Sequence, residues 1–290
     1  MKNVLIVGTN SFIGNHVQNR FEIVHGDEVK VIQLDSTTDE WKTYDYSKID
    51  AIIHVAAIVH RPNLKDWDLY MQVNVDLPVG IAKKAKQAGV RQFVFLSTMS
   101  VFDGIGRGLK NTVIYETTPT NPVSMYGKSK LMAEQKLKDL EDASFKITIV
   151  RPPNVYGKNS RGNYVPRYVA MANSLPFVPK AYEEVRQSMI YVANLAEFIR
   201  LSVERGLSGT FMPQDDKSVS SVELLQCIAQ AKGKRLRASS LLGKIVPFFS
   251  FIPIIKKAYG GLEYDYTLSQ ACGFNYVIIP FEKGIRETVS

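Results

Sequence analysis

Short apolar runs alternate along the chain with longer segments whose apolar residues recur at helical spacing. Short apolar or alternating runs bounded by turn residues are typical of strands, whereas a period near 3.6 residues is typical of amphipathic helices. The runs predict strands at residues 4–7, 28–34, 50–57 and 147–150, and a turn and strand within 89–102. The helical spacing predicts helices from the turn after residue 8 to about residue 23, and over 69–88, 125–138 and 219–232. This order of elements predicts an α/β fold, a doubly wound parallel sheet whose ligands bind at the carboxyl ends of the strands.

The same pattern predicts how the chain divides into domains. We expect residues 1–150 to form a dinucleotide-binding domain that carries the catalytic groups. Residues 151–290 would then form mainly a smaller C-terminal substrate lobe, interleaved with the sheet around residues 185–215. The segment from Asp35 to Asp50 is short and has no clear additional strand and helix, which predicts an unusually compact cofactor half.

Three side chains have the spacing of a proton-handling site. Tyr126 and Lys130 lie four residues apart, so in a helix over 125–138 they share one face. Thr98 lies upstream, directly after an apolar run. An ammonium group beside a phenol favours the phenolate, which would let Tyr126 exchange a proton with a substrate oxygen near neutral pH. Such pairs also arise by chance on solvated helices, so this prediction needs support from elsewhere in the chain.

The N-terminal turn gives that support. The first apolar run ends at Gly8, and the spacing Gly8-x-x-Ser11-x-x-Gly14 leads into the first predicted helix. A strand, a tight turn and a helix aim free backbone N–H groups and the positive helix end at a pyrophosphate. The alternative is an ordinary strand–turn–helix start. The candidate cofactor-binding residues of this turn are Gly8, Asn10, Ser11, Phe12, Ile13 and Gly14.

The turn and the three side chains together resemble the extended short-chain dehydrogenases/reductases of the NAD-dependent epimerase/dehydratase family. Their fingerprint is Gly-x-x-Gly-x-x-Gly, in which Ser11 here replaces the second glycine. The resemblance implies a Rossmann-type sheet, a nicotinamide cofactor and a UDP-sugar substrate. It also implies three catalytic residues, two of which would contact the cofactor as well, namely Thr98 and, in both roles, Tyr126 and Lys130.

Further cofactor contacts follow from the resemblance. Ala56 and Ala57 end a stretch that matches the family's Asp-x-x-x-His-x-Ala-Ala segment, where small residues let the cofactor approach the backbone. Asn74 matches a position on the cofactor side, with helix packing as the alternative. Asp35 ends the second strand, where a carboxylate would bind the ribose hydroxyls and repel a 2′-phosphate. This predicts NAD(H) in preference to NADP(H), and the alternative is that Asp35 is a loop acid that starts the turn 36–38.

The second half of the chain supplies the candidate substrate residues, again through the resemblance. The segment Arg-Pro-Pro-Asn-Val-Tyr-Gly puts Asn154 where the family contacts the nucleotide-sugar phosphates, and Asn163 and Tyr164 fall in the stretch near the uridine. Gln187 stands where the family often has an arginine that binds the diphosphate, and Arg186 lies one residue earlier. A planar guanidinium binds phosphate in a way that an amide cannot, so we assign this role to Arg186.

Composition and charge exclude several other classes of protein. The chain has 290 residues, is 45% hydrophobic and 22% charged, and carries a net charge of +8, which is typical of a folded protein. Its basic clusters lack interleaved aromatic residues, so we expect no nucleic-acid partner. Cys227 and Cys272 are too few and too far apart for a disulfide framework or a metal site, which suits the cytoplasm. Met1 leads straight into the first strand, which predicts no signal peptide.

Residues 241–257 fit an enzyme of this kind least well. The segment is strongly apolar with basic ends, but Pro247, Pro253 and Lys244 interrupt it, so it makes a poor transmembrane helix. It either packs as a cap on the substrate lobe, which we favour, or forms a patch that lies at a membrane surface. The resemblance also implies a homodimer that pairs through two helices of the first domain.

The residues after Thr98 narrow the predicted reaction. Dehydratases of the family have an Asp-Glu pair there, whereas Met99 and Ser100 offer neither an acid nor a base, which argues against dehydration. Reduction of a 4-keto sugar and 4-epimerisation use the same three catalytic side chains. A compact cofactor half should hold the cofactor less tightly, and this favours a reductase, which must exchange it.

The chain also resembles reductases of capsule and O-antigen synthesis, in its Ser-Thr-Met-Ser-Val and Arg-Pro-Pro-x-x-Tyr-Gly stretches. We therefore predict an NAD(P)H-dependent 4-ketoreductase of a UDP-4-keto-6-deoxy-N-acetylhexosamine. The alternatives are an NAD-dependent UDP-sugar 4-epimerase and a non-catalytic NAD(P)-binding regulatory protein.

Overall fold

A six-stranded parallel sheet is the centre of the computed structural model, which describes residues 2–59, 66–106, 109–160, 164–252, 255 and 258–290. The strands are β1 (Lys2–Val7), β2 (Val29–Leu34), β3 (Ala51–His54), β4 (Gln92–Leu96), β5 (Val113–Ile114), β6 (Lys146–Val150), β7 (Asn154–Tyr156), β8 (Phe177–Pro179), β9 (Arg186–Gln187), β10 (Met189–Tyr191), β11 (Gly209–Phe211), β12 (Val219–Ser220), β13 (Arg237–Ser239) and β14 (Glu263–Tyr264). The helices are α1 (Phe12–His25), α2 (Trp67–Met71), α3 (Leu77–Gln87), α4 (Met125–Lys138), α5 (Tyr164–Ser174), α6 (Val192–Arg205), α7 (Ser221–Ala231) and α8 (Ser240–Ile245), followed by Tyr266–Gln270 and Phe281–Val289.

The order of the strands in the central sheet is β11-β6-β4-β3-β1-β2. The chain leaves β1 to one side to form β2, and then crosses to the other side to form β3 and the later strands, all of them parallel. The carboxyl ends of β1 and β3 lie side by side, because Val7 pairs with His54. Doubly wound sheets bind their ligands at this reversal of strand order, and the turn after Val7 therefore lies at a binding position.

Helices cover both faces of this sheet. Side chains of a strand alternate between its two faces. Leu5 belongs to a core that also contains Ile81 of α3 and Leu137 of α4. Ile6 lies on the other face, where a Cβ placed on Gly14 of α1 would be 3.3 Å from its Cγ2 atom. The predicted fold class, a Rossmann-type doubly wound sheet, is confirmed.

The connection from β2 to β3 is short. Residues 35–50 are all described, and they hold two 3₁₀ turns, Asp39–Lys42 and Tyr46–Lys48, but neither a strand nor an α-helix. As a result β2 is an edge of the sheet. The compactness that the sequence predicts for this half of the fold is therefore confirmed.

The predicted helix over 69–88 differs from what is observed. A π-helical turn, Gln72–Asp76, lies between α2 and α3 and contains the buried residue Asn74. Insertions of this kind inside helices are frequent at functional sites. By contrast, the predicted helix over 125–138 is α4 with the same bounds.

The chain divides into two compact units. The first unit comprises Met1–Gly104, Thr120–Pro152 and Leu195–Met212, and it contains the whole central sheet. The second unit comprises Ile105–Pro119, Pro153–Asn194 and Pro213–Ser290. The first unit thus regains the chain after residue 194, and the second takes a loop from the N-terminal half. The cofactor and substrate roles of the two units stay predictions.

Two-stranded pairings and packed helices build the second unit. β7 pairs with β10, β9 with β12, β8 with β13, and β5 with β14. Buried polar groups join several of these elements: the Asp215 carboxylate accepts hydrogen bonds from the Tyr156 hydroxyl at 2.6 Å and from the Asn194 amide at 2.8 Å. Among the residues described, no helix is long and apolar enough to cross a membrane.

Candidate active site

The turn after β1 packs closely against the segment that follows β3. Gly8 has a φ of 119°, which side chains other than hydrogen rarely allow, and its N–H donates to the Leu34 carbonyl at 2.9 Å. A Cβ at this position would be 3.1 Å from the backbone nitrogen of Ala56 and 3.2 Å from its Cβ. Glycine at position 8 and a small residue at position 56 therefore keep the backbone within reach of a ligand.

Helix α1 begins at this turn with its N–H groups oriented toward the carboxyl end of the sheet. Ser11 caps the helix: its φ of −73° is ordinary, and its Oγ accepts a hydrogen bond from the Gly14 N–H at 3.2 Å. Asn10 takes the left-handed conformation, with a φ of 54°, which asparagine tolerates better than most residues. The first-turn N–H groups of Phe12 and Ile13 have no acceptor within the helix. This arrangement fits the diphosphate of a dinucleotide.

Asp35 directly follows β2 and starts a turn. Its Oδ1 accepts hydrogen bonds from the Thr37 N–H at 2.8 Å and from the Thr37 hydroxyl at 2.7 Å. These bonds lower the pKa of the Asp35 carboxyl, which is therefore ionised at neutral pH. The structure thus contains the turn that one interpretation of Asp35 predicts, and the contact with a ribose stays a prediction.

Asn74 connects the segment after β3 to α4. Its Oδ1 accepts from the Ile58 N–H at 2.8 Å, and its Nδ2 donates to the Ile58 carbonyl and to the Ser129 hydroxyl, both at 3.0 Å. The side chain is fully buried. These contacts hold the residues that follow Ala57 and favour a positioning role for Asn74, and its predicted direct contact with a cofactor stays a prediction.

Helix α4 brings Tyr126 to Thr98. Ser124 caps the helix by accepting from the Gly127 N–H at 3.0 Å. Gly127 lies so close to the 3₁₀ turn after β4 that a Cβ on it would collide with the Ser100 carbonyl oxygen. This close approach lets the half-buried Tyr126 form a hydrogen bond with the Thr98 side chain.

The titration of Tyr126 differs from the sequence prediction. Burial raises the pKa of its phenol to about 12, and the hydrogen bond from Thr98 only partly opposes this rise. Tyr126 is therefore protonated at neutral pH, and the expectation that the neighbouring lysine makes it a phenolate is wrong for this structure. A protonated phenol is a proton donor.

Lys130 explains why that expectation fails. Its side chain is buried and its ammonium nitrogen lies 3.9 Å from the centroid of the Phe95 ring, so it is engaged by the aromatic face. Burial lowers the pKa of Lys130 to about 7, although the charge of Glu134 opposes the shift. Within the described residues, its nitrogen has no hydrogen-bond partner. A buried donor with unused hydrogen-bonding capacity fits a ligand hydroxyl, such as that of a ribose.

The comparison with families of known proteins agrees with this geometry. The model of the NAD dependent epimerase/dehydratase family matches residues 4–211. The chain belongs to the NAD dependent epimerase/dehydratase family. The predicted family and the predicted class, an NAD(P)-dependent enzyme of the extended short-chain dehydrogenase/reductase type, are thereby confirmed.

Several individual proteins are similar to the chain. A UDP-glucose 4-epimerase from Vibrio cholerae is 25% identical over 254 residues, which are 80% of this chain and 76% of the relative. An N-acetyl-alpha-D-glucosaminyl-diphospho-ditrans,octacis-undecaprenol 4-epimerase from Escherichia coli O157:H7 is 25% identical over 82% of this chain and 75% of the relative. The crystal structure of a dTDP-4-dehydrorhamnose reductase from Clostridium acetobutylicum has the same fold, with a TM-score of 0.74, 20% identity, and coverage of 99% of this chain and 98% of that one.

A buried ion pair that the sequence analysis missed supports the site of this epimerase/dehydratase-family protein. The Arg151 guanidinium donates to the Glu134 carboxylate, with Nη2 at 2.6 Å from Oε2, and the Ser97 hydroxyl also donates to this carboxylate. These bonds tie α4 to the ends of β4 and β6. Glu134 lies four residues after Lys130 and therefore on the same helix face, which is a signal that the sequence contained.

A second missed residue holds the beginning of α4. The Asp103 carboxylate accepts hydrogen bonds from the Val123 N–H at 2.6 Å and from the Ser124 hydroxyl. The turn that carries Thr98 and the helix that carries Tyr126 are thus joined next to both side chains. No local pattern around Asp103 indicates this contact, because its partners are twenty residues away in the chain.

Apart from Thr98, which lies in the first unit, the candidate substrate residues lie in the second unit. Asn154 begins β7 and is exposed, and it pairs with Met189 of β10. Arg186 is bonded within the protein: its Nε donates to the Ser218 hydroxyl at 3.1 Å, and its Nη2 is 3.1 Å from a carboxylate oxygen of Glu223. The guanidinium would have to leave this acid to bind a diphosphate, and its substrate role stays a prediction.

Two of the predicted substrate residues cannot be compared with the structure. Asn163 lies outside the described residues, and so does the side chain of Tyr164, which begins α5. Among the described residues, no group of three or more His, Cys, Asp or Glu side chains is arranged to hold a metal ion.

Proposed function

We propose that the protein is an NAD(P)H-dependent 4-ketoreductase of a nucleoside-diphosphate sugar. The first substrate to test is a UDP-4-keto-6-deoxy-N-acetylhexosamine, a precursor type for capsule and O-antigen polysaccharides. The observation that carries this proposal is the Thr98–Tyr126 pair, a proton donor held by a neighbouring hydroxyl at the carboxyl end of the sheet. Membership of the family supports the sugar-nucleotide class.

In this proposal the protein supplies a proton and holds the reacting oxygen, while the reduced nicotinamide cofactor supplies the hydride. Tyr126 donates its proton to the oxygen at C4 as the carbonyl becomes an alkoxide. Thr98 hydrogen-bonds the same oxygen and fixes its distance from the phenol. Lys130 binds a cofactor hydroxyl, which uses the donor capacity that its buried amine retains.

The compact cofactor half favours reduction over epimerisation. A cofactor with less protein around it exchanges more readily, and a reductase must exchange its cofactor in every cycle. Reduction of a ketone also requires an acid, and the protonated phenol of Tyr126 supplies it. This phenol does not separate the two reactions, because an epimerase returns the same proton in the second half of its cycle.

A UDP-sugar 4-epimerase is the second candidate. The observation that favours it is that relatives of similar sequence are named as 4-epimerases, among them the UDP-glucose 4-epimerase from Vibrio cholerae, which is 25% identical. The same three side chains would serve it, with Tyr126 acting first as a base. The candidates differ in whether cofactor is consumed.

The stoichiometry of cofactor oxidation tests the proposal. Purified protein is incubated with a UDP-4-keto-6-deoxy-N-acetylhexosamine and NADH or NADPH, and both the cofactor and the sugar product are quantified. We expect one cofactor oxidised for each 4-hydroxy sugar formed. Redox-neutral interconversion of UDP-GlcNAc and UDP-GalNAc, by protein that purifies with bound NAD, would instead identify an epimerase. Cofactor binding without turnover of either type of sugar would identify a regulatory protein.

Cofactor preference gives a further prediction. The carboxylate of Asp35 is ionised, and like charges repel, so we expect NADH to bind on the order of tenfold more tightly than NADPH. Asp35→Ala should reduce this difference, whereas Asp27→Ala, on the neighbouring 3₁₀ turn before β2, should preserve it. Fluorescence titration with each reduced cofactor gives the two dissociation constants. A preference of the wild type for NADPH would remove the assignment of Asp35.

A further inference from the structure

The second unit carries an apolar segment that is exposed to an unusual degree. It comprises α8 and the 3₁₀ turn Val246–Phe249 with the residues that follow, together residues 240–252, and we refer to it as the apolar segment. Three of its large side chains have more than seven tenths of their surface exposed: Leu241 (74%), Phe248 (79%) and Phe251 (73%). Exposed apolar surface of this extent in one short segment is typical of an interaction site.

Two residues fix which side of the apolar segment faces outward. Gly243 lies against the backbone of Lys180, where a Cβ would collide with the carbonyl oxygen, and Val246 is buried three residues later. The backbone before the segment is also fixed, because the Lys180 N–H donates to the Ser239 carbonyl at 3.0 Å. The exposed side chains lie away from this anchor. The segment packs through Gly243 and Val246, but these large side chains do not, which is less packing than the cap that the sequence analysis favours.

The stretch of chain that contains the apolar segment carries charges of a single sign, although the exposed acids Glu183 and Glu184 follow Lys180, whose backbone meets Gly243. Residues 224–262 contain no Asp or Glu and seven basic residues, Lys232, Lys234, Arg235, Arg237, Lys244, Lys256 and Lys257. The five that precede residue 250 are exposed. Phenylalanine and leucine side chains surrounded by lysine and arginine are the combination that binds the interface of an anionic bilayer.

A second copy of the chain fits this surface less well. A two-fold contact would place the apolar segment against itself, and the basic residues of one copy would then face those of the other. Like charges that face each other across an interface oppose association. An anionic lipid surface instead attracts the basic residues and accepts the apolar side chains.

We propose that the apolar segment binds the protein to the surface of an anionic phospholipid membrane. Phe248, Phe251 and Leu241 enter the region between headgroups and acyl chains, while the neighbouring lysines and arginines contact lipid phosphates. No helix in the described part of the chain is long and apolar enough to cross a membrane, so the contact is peripheral. The inference does not depend on the reaction that the protein catalyses.

Co-sedimentation with vesicles tests this inference on the full chain. At low ionic strength, we expect the protein to bind vesicles of equal parts phosphatidylglycerol and phosphatidylcholine at least about tenfold more tightly than vesicles of phosphatidylcholine alone. High salt should weaken this binding, because it screens the basic residues.

Matched variants distinguish vesicle binding through the apolar segment from nonspecific binding through other exposed apolar side chains. Phe248→Ser with Phe251→Ser should lower vesicle binding about tenfold or more, since each removes an inserted ring. Ile23→Ser with Val24→Ser removes exposed apolar side chains from α1, of 66% and 40% exposure, and should leave binding unchanged. Lys234→Glu with Arg237→Glu should weaken binding to the anionic vesicles only. Circular dichroism and the Tm establish that each variant is folded.

Three results would overturn the inference. The first is a wild-type protein that stays in the supernatant with anionic vesicles at low ionic strength. The second is vesicle binding that the α1 variant lowers as much as Phe248→Ser with Phe251→Ser does. The third is a dimer, measured by analytical ultracentrifugation, that Phe248→Ser with Phe251→Ser dissociates while vesicle binding is absent. That outcome would assign the apolar segment to contact between copies of the chain.

Discussion

The two candidate cationic ligands, Lys130 in the first unit and Arg186 in the second, are held in opposite ways. The Lys130 side chain belongs to α4 and is buried, and among the described residues its nitrogen has no hydrogen-bond partner. Arg186 lies at a partly exposed position with its guanidinium already bonded to Ser218 and Glu223. Both residues are basic candidates for ligand binding, but the Lys130 amine is buried without a partner among the described residues, whereas the Arg186 guanidinium is already engaged by Ser218 and Glu223.

This difference helps to separate binding residues from structural ones. Burying a polar group without a partner costs free energy, so such groups are rare unless a ligand completes them. A group whose hydrogen bonds are satisfied by its own protein stabilises the fold without a ligand. On this criterion Lys130 is a binding residue, and it lies on the same helix as Tyr126, whose phenol is bonded to Thr98. Arg186 would have to give up its bond to Glu223 before it could bind a phosphate.

Among changes outside the reacting groups themselves, the largest effect is expected where α4 meets the turn that carries Thr98. Gly127→Ala adds a Cβ that collides with the Ser100 carbonyl, so the helix must move and separate Tyr126 from Thr98. Because small displacements of a catalytic group are costly, we expect kcat to fall on the order of tenfold or more, together with a lower Tm. Steady-state kinetics and thermal unfolding measure both.

Gly106 provides the control for this substitution. Among the described residues, a Cβ there would meet only Thr112 Oγ1, at 3.9 Å, so Gly106→Ala should change neither kcat nor the Tm appreciably. Wild-type turnover in Gly127→Ala would mean that the Thr98–Tyr126 distance is unimportant for catalysis. The difference between Lys130, on the same helix, and Arg186 would then have no connection to the reaction.

The pH dependence of the free energy of unfolding tests whether burial lowers the pKa of the Lys130 amine. In the folded chain the pKa of its amine is lowered to about 7 by burial, whereas the unfolded chain keeps the proton up to the ordinary value of about 10.5. The unfolded state therefore binds more protons between these two values, and the free energy of unfolding rises with pH across that window. The rise should approach about 1.4 kcal/mol per pH unit, and it should vanish below pH 7.

Lys130→Met isolates this contribution. Denaturant unfolding without cofactor or substrate, at several pH values from 6 to 9, gives the difference in stability between wild type and variant. We expect the free energy of unfolding of the wild type to increase relative to that of the variant above pH 7. A difference that stays constant over this range would mean that the amine is hydrated and ordinary, which would break the contrast with Arg186.

The smallest effect is expected at Arg186. Since its guanidinium is committed to Ser218 and Glu223, Arg186→Met should lower the Tm and raise the KM for the nucleotide sugar by less than about threefold. Arg167→Met, on α5, is a matched loss of an arginine in the same unit. A tenfold rise in KM that is specific to Arg186 would show that it leaves Glu223 to bind the diphosphate, in place of the family arginine that Gln187 replaces.

The features that local sequence determines were predicted well. The turn from Gly8 to Gly14 depends on residues that are neighbours in the chain, and α4 has its cap, Ser124, directly before its first turn. The short connection after Asp35 was predicted because residues 35–50 contain no apolar run that could form an additional strand. Each of these is a statement about spacing, and spacing is what a single sequence contains.

The features that depend on distant contacts were missed. The position of the Lys130 amine is set by the Phe95 ring, which comes from another strand, so helical spacing alone suggested a contact with the phenol instead. Arg151 pairs with Glu134 across two elements for the same reason. The exposure of Phe248 and Phe251 depends on Gly243 meeting the backbone of Lys180, which hydropathy does not indicate.

The most direct test of the central claim is the turnover of Tyr126→Phe with the cofactor already bound. The variant keeps the ring and loses only the hydroxyl, so NADH should bind with nearly the wild-type dissociation constant. The rate of ketone reduction should fall by a factor on the order of a hundred or more, while Tyr266→Phe, at an exposed position, should retain the wild-type rate. A Tyr126→Phe variant that reduces the 4-keto sugar at close to the wild-type rate would contradict the assignment of Tyr126 as the proton donor.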